Sequence, residues 1–166
     1  MFATNVLGPF LMTNLLLDQL RAAPAARVLV ISAPSTTRLD FDDLQGERRF
    51  RSLIAFGASK AADLLFTFEL ARRFEGSPMT ANAVHPGLTR TSLMREAVAP
   101  LRWGTWIVSR SPERAVQAIA PLALDEEFAG RSGKFFHNGR EIEPPPYTRD
   151  PGVARRLWEV CATLVA

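Results

Sequence analysis

The sequence predicts an α/β layered domain built on a parallel sheet, and three observations carry that prediction. Residues 27–32 form a short β-branched run without polar alternation, as expected of a strand covered on both faces. Amphipathic helical patterns flank this run and recur down the chain. The resulting order is helix, strand, helix, strand, helix, strand, helix, the alternation of parallel strands joined by crossovers, with about three strands visible.

Residues 10–22 place Phe10, Leu11, Leu15, Leu16, Leu17 and Leu20 at helical spacing. Gly8-Pro9 predicts a break near the start, because proline lacks a donor and disfavours helix in the residue before it. Residues 33–50 carry turn chemistry and charge, and a connection of that length is often functional. The strongest helical pattern spans residues 52–75, with Phe56, Leu64, Leu65, Phe68, Ala71 and Phe74 recurring and Gly76 as its stop. Residues 79–84 read as a second strand ended by His85-Pro86-Gly87. Ser111-Pro112-Glu113 has the order of a helix start, and that helix runs to about Leu124. Residues 133–137 read as a third strand closed by Asn138-Gly139, and Asp150-Pro151 caps a final helix.

At 166 residues and 47% hydrophobic, the chain is expected to form one domain, 1–166, with its own core. A domain of this size buries roughly 70% of its unfolded surface. The formal charge of +3 is a small excess, and Lys60 and Lys134 are the only lysines. No basic run is interleaved with stacking aromatics, so nucleic acid is not an expected partner. The apolar first 20 residues lack the basic start and small-residue cleavage site of a signal peptide, and no uninterrupted apolar run reaches spanning length. Cys161 is alone, which points to a reducing, cytoplasmic setting.

Several segments, taken together and in order, resemble the short-chain dehydrogenase/reductase family. Residues 4–13 look like that family's fourth helix and residues 27–32 like its fifth strand. Phe56-Gly57-Ala58-Ser59-Lys60 resembles the Tyr-x-x-x-Lys motif, and residues 82–87, ending in His85-Pro86-Gly87, resemble the segment that closes over the nicotinamide. Residues 40–44 and 155–160 look like the retinol-dehydrogenase-like branch. The resemblance covers the whole chain but only the C-terminal part of the family's domain. It implies a partial Rossmann-like, doubly wound sheet opening within the fourth helix, with the N-terminal cofactor-binding strands absent, and hence a truncated homologue. No G-x-x-x-G-x-G pattern occurs here.

In the family the motif tyrosine transfers a proton while hydride moves between substrate carbon and nicotinamide. The lysine four residues on lies on the same helical face, lowers the tyrosine's pKa and holds the nicotinamide ribose. A serine at the end of the preceding strand bonds the substrate oxygen, and an asparagine in the fourth helix supports a relay water. By position, Asn5 and Lys60 are retained, whereas Phe56 replaces the tyrosine and Ala33 the serine. A phenyl ring cannot move a proton, so general acid–base help of roughly 10²–10⁴-fold is absent. Ser32 is no obvious substitute, since neighbouring strand residues face opposite sides; Ser35, Thr36 and Thr37 are the nearest other hydroxyls.

The resemblance also implies an NAD(P) cofactor, with Lys60, Pro86, Gly87, Thr89 and Thr91 as its contacts. No metal site is expected: His85 and His137 lack clustered acids, and Asp40, Asp42 and Asp43 read as a solvated loop. A hydrolase built on Ser59, His85 and Asp63 lacks a nucleophile elbow. The expected function is that of an oxidoreductase homologue without turnover, a pseudoenzyme. The alternatives are an enzyme using another acid or a partner-supplied cofactor half, and a dimerising scaffold. Strand 27–32 is expected at an exposed edge that recruits a second copy or a complementing chain.

Overall fold

A computed structural model describes residues 1–87 and 111–166. Among them a sheet forms in the order β1 (Arg27–Ile31), β2 (Thr80–His85), β3 (Phe135–His137) and β4 (Arg140–Glu141). The first three strands are parallel, with Ile31 opposite Val84 and His85 opposite His137. β4 is antiparallel to β3 and corrects the expectation of about three strands. Asn138 and Gly139 take φ of 52° and 73°, a two-residue turn with the twist of a tight hairpin. The strand it creates is two exposed polar residues long, so it leaves no apolar signature.

Five α-helices accompany the sheet in the described residues: α1 (Gly8–Leu15), α2 (Leu17–Ala22), α3 (Ser52–Arg73), α4 (Pro112–Leu124) and α5 (Pro151–Leu164). The chain does not break at Gly8-Pro9. Residues Ala3–Leu7 form one wide π turn, in which the Gly8 N–H donates to Ala3 O, and Pro9 falls in the first turn of α1. There its missing donor would have had no partner in any case. The interruption lies instead at Leu16, where ψ is 3°. The capping expected at Asp150 is present, its Oδ1 accepting from Gly152 N and Val153 N.

Alternating residues of each strand divide the core between two faces. Val30 and Ala81 pack with Ala61, Leu65 and Leu70 of α3, Leu157 of α5, and Val6 and Phe10 of the N-terminal helix. On the opposite face Val84 and Phe136 pack with Leu122 of α4 and Phe128. α3 is thus enclosed by the sheet, α5 and the N-terminal helix, and residues 61–70 are all buried. That enclosure fixes the register of everything α3 carries. β1 stands at the edge of the sheet, with Ile31 44% exposed. No helix among the described residues is long and apolar enough to cross a membrane.

Candidate functional site

The C-terminal ends of β1 and β2 and the first half of α3 converge, which is where open parallel sheets place their ligands. β1 is followed by Ser32 and Ala33, and its neighbour β2, ending at His85, is followed by Pro86 and Gly87. The Ser32 N–H donates to Val84 O at 2.8 Å, so the ladder extends one residue past β1. Ser32 itself is buried and its hydroxyl donates to Lys60 O, 2.8 Å away. It faces α3, and Ala33 after it carries no polar group.

α3 contributes four residues. Phe56 is half-buried, and Lys60 Nζ lies 5.9 Å from its ring centroid, the relation expected of positions one turn apart. Lys60 Nζ donates to Asp63 Oδ2 at 2.8 Å and to Ile31 O at 3.1 Å. Asp63 is buried, and burial pushes its carboxyl up to about 7 even though the Lys60 charge and hydrogen bond pull it down. Ser59 is buried as well; its hydroxyl donates to Phe56 O and accepts from Asn5 Nδ2 at 3.0 Å. Asn5 reaches α3 from the π turn at the start of the chain.

Ser35 and Thr37 fold back onto α3 one residue beyond Phe56. A side chain at Gly57 would collide with Thr37 Oγ1 and come within 3.2 Å of Ser35 Oγ. Thr36 is exposed. His85 stacks on His137 with centroids 4.7 Å apart, and His137 Nδ1 lies 2.9 Å from His85 O. Burial lowers the His85 pKa, the His137 ring lowers it further, and the Ser32 backbone draws it partly back. Gly87, at φ 79°, passes beside this pair; a Cβ there would meet His137 Cε1 at 3.5 Å. Thr89 and Thr91 lie outside the described residues.

The structure therefore brings Asn5, Phe56 and Lys60 together beside the end of β1, and places Pro86 and Gly87 just after the neighbouring β2. The sequence matches the short chain dehydrogenase family over residues 1–101. The chain belongs to the short-chain dehydrogenases. It is 42% identical over 178 residues to human retinol dehydrogenase 13, covering 99% of this chain and 53% of that protein. Human retinol dehydrogenase 14 is 37% identical over 172 residues, covering 99% and 51%. The chain thus spans about half the length of the curated relatives it matches. Among solved structures, an uncharacterized protein from Mycobacterium paratuberculosis superposes with a TM-score of 0.70 at 28% identity, covering 97% of this chain and 56% of that one. The NADPH-bound carbonyl reductase from chicken fatty liver shares the fold, at TM-score 0.58 and 18% identity over 86% of this chain and 55% of that one.

Short-chain dehydrogenases generally use NAD(P), but the described residues of this chain do not by themselves make a dinucleotide site. Lys60 already has two partners, and neither β1 nor β2 leads through a glycine-rich turn into a described helix N-terminus that could cradle a pyrophosphate. Ser59, His85 and Asp63 do not form a relay, since each is bonded or stacked elsewhere. No group of three or more His, Cys, Asp or Glu among the described residues could hold a metal ion. Asp43 instead accepts the backbone N–H groups of Glu47, Arg48 and Arg49, and those bonds, Arg48 first, lower its pKa. What sequence reasoning missed is Asp63 as the partner of Lys60. The i, i+3 spacing on one helix face was the signal that could have found it.

Proposed function

We propose that this chain is a non-catalytic homologue of the NAD(P)-dependent short-chain dehydrogenases, of the retinol-dehydrogenase type. The observation that carries this reading is Phe56, an aromatic ring without a hydroxyl, standing one turn from Lys60 where the family's proton donor is expected. Ala33 supports it, because a methyl at the end of β1 cannot orient a carbonyl oxygen. Asn5 and Lys60 are occupied within the protein. Cys161 is buried and its thiol is pushed up to about 12 by that burial, so it offers no substitute nucleophile and suits a reducing, cytoplasmic setting.

The test is hydride transfer by the purified chain between NADP(H) or NAD(H) and retinol–retinal or other alcohol–carbonyl pairs, with Lys60→Ala as control. The expected rates are equal for the two proteins. Turnover that depends on Lys60 would overturn the reading and favour an enzyme that recruits Ser35, Thr37, water or a partner's cofactor half.

A second reading, association through the β1 edge, is favoured by the position of β1 at the end of the sheet and the exposure of Ile31. The occupant proposed is a second copy of the chain. Light scattering is expected to show a dimer or larger species, and a monomer with a cooperative melt would contradict it.

A further inference from the structure

Lys60 is one of only two lysines in the chain, and its surroundings differ from those of the other. Lys134 pairs with Glu141 at the surface, both side chains about 40% exposed. The Lys60 side chain is 17% exposed and its partner Asp63 only 3%. An ammonium has three donors. Here one goes to Asp63 and one to the Ile31 carbonyl, while the backbone carbonyl of Lys60 accepts from Ser32. Residues 31 and 32 are therefore clamped to Lys60 by two reciprocal hydrogen bonds, and Asp63 completes the set from one turn deeper in α3.

A carboxyl so deeply enclosed either holds a proton or pairs with a cation, because an unpaired buried charge is strongly unfavourable, and Lys60 is what draws Asp63 back toward its ionised form. Among the described residues Asp63 pairs with no other cation, so the demand falls on Lys60. We propose that Asp63 commits Lys60 to a structural clamp between α3 and the end of β1, withdrawing two of the amine's three donors from any ligand. Asp63 is in this sense a positioning residue acting through Lys60. The proposal rests on reading Lys60 as the family's ligand-side lysine, and it names what has become of it.

Trace acylation of the folded chain with N-hydroxysuccinimidyl acetate, read by mass spectrometry, compares the two lysines directly. Lys60 is expected to react at least about tenfold more slowly than Lys134, since acylation waits for the clamp to open. Asp63→Asn is expected to raise the Lys60 rate by about tenfold and leave Lys134 unchanged. Equal rates in the unaltered protein, or no change in a cooperatively melting Asp63→Asn variant, would overturn the proposal. Should Asp63→Asn fail to fold, the double variant Lys60→Met/Asp63→Leu is expected to recover a cooperative melt, and its failure would also count against the clamp. Labelling reads the amine and not turnover. Slow labelling with turnover would remove only the non-catalytic reading, and fast labelling without turnover only this one.

Discussion

The retained polar groups around α3 and the two positions without a hydroxyl stand in contrast. On the inner side of α3, every polar group has a protein partner: Asn5 with Ser59, Ser59 with Phe56 O, Lys60 with Asp63 and Ile31 O, Ser32 with Lys60 O. The positions where the family carries hydroxyls are instead Phe56, one turn from Lys60 on α3, and Ala33, just beyond β1. The contrast teaches that the loss is not a general decay of polarity. Removing both hydroxyls together can be nearly neutral for stability, because neither is left behind as half of a polar contact; among the described residues the buried polar atom left without a partner near the strand ends is His85 Nδ1. Removing one member of the inner set would strand its partner.

The comparison can be broken at several points. A large effect is expected at Gly57, against which Ser35 and Thr37 pack. Gly57→Ala drives a methyl into Thr37 Oγ1 and against Ser35 Oγ, forcing residues 35–37 off α3. A loss of about 1–3 kcal/mol by urea denaturation is expected, against a gain in helix propensity of about 1 kcal/mol if the loop gave way freely.

The pH dependence should separate the inner set from the strand-end histidines. Asp63 holds its proton more tightly when folded, at about 7 against 3.8. Its contribution is therefore present in full below the unfolded value and is lost as pH rises through about 7. His85 is shifted down from 6.5, so its contribution is present above that value and is lost as pH falls toward its depressed folded value. Urea melts at pH 5 and 8 are expected to show the unaltered protein losing ground against Asp63→Asn as pH rises. Against His85→Phe it should lose ground as pH falls. The smallest effect belongs to Phe56→Tyr: a half-buried ring gains a hydroxyl, and the change should stay within about 0.5 kcal/mol.

Much of this was legible before the structure. The buried strands, the long α3 and the Asp150 cap follow from patterning and capping chemistry, because those elements are long or have one decisive residue. β4 was not legible, since two exposed polar residues pair only because the Asn138-Gly139 turn brings them back. Pro9 misled for a local reason, a π turn that spares its missing donor. At the site, the positions of Asn5, Ala33, Phe56 and Lys60 could be placed from the motif order. The stacking of His85 on His137 depends on the β2–β3 register, which no local pattern encodes. Asp63 lay within reach of helix spacing alone and becomes meaningful only with its burial.

The claim at the centre of this account is that the retained polar residues serve the fold. A double-mutant cycle on Lys60 and Asp63, by urea denaturation at pH 8, tests it most directly. Lys60→Met and Asp63→Leu are each expected to cost about 3 kcal/mol by leaving a buried charge unpaired, while the double variant returns to within about 1 kcal/mol of the unaltered protein. A Lys60→Met variant as stable as the unaltered chain, with no coupling to Asp63, would contradict the account.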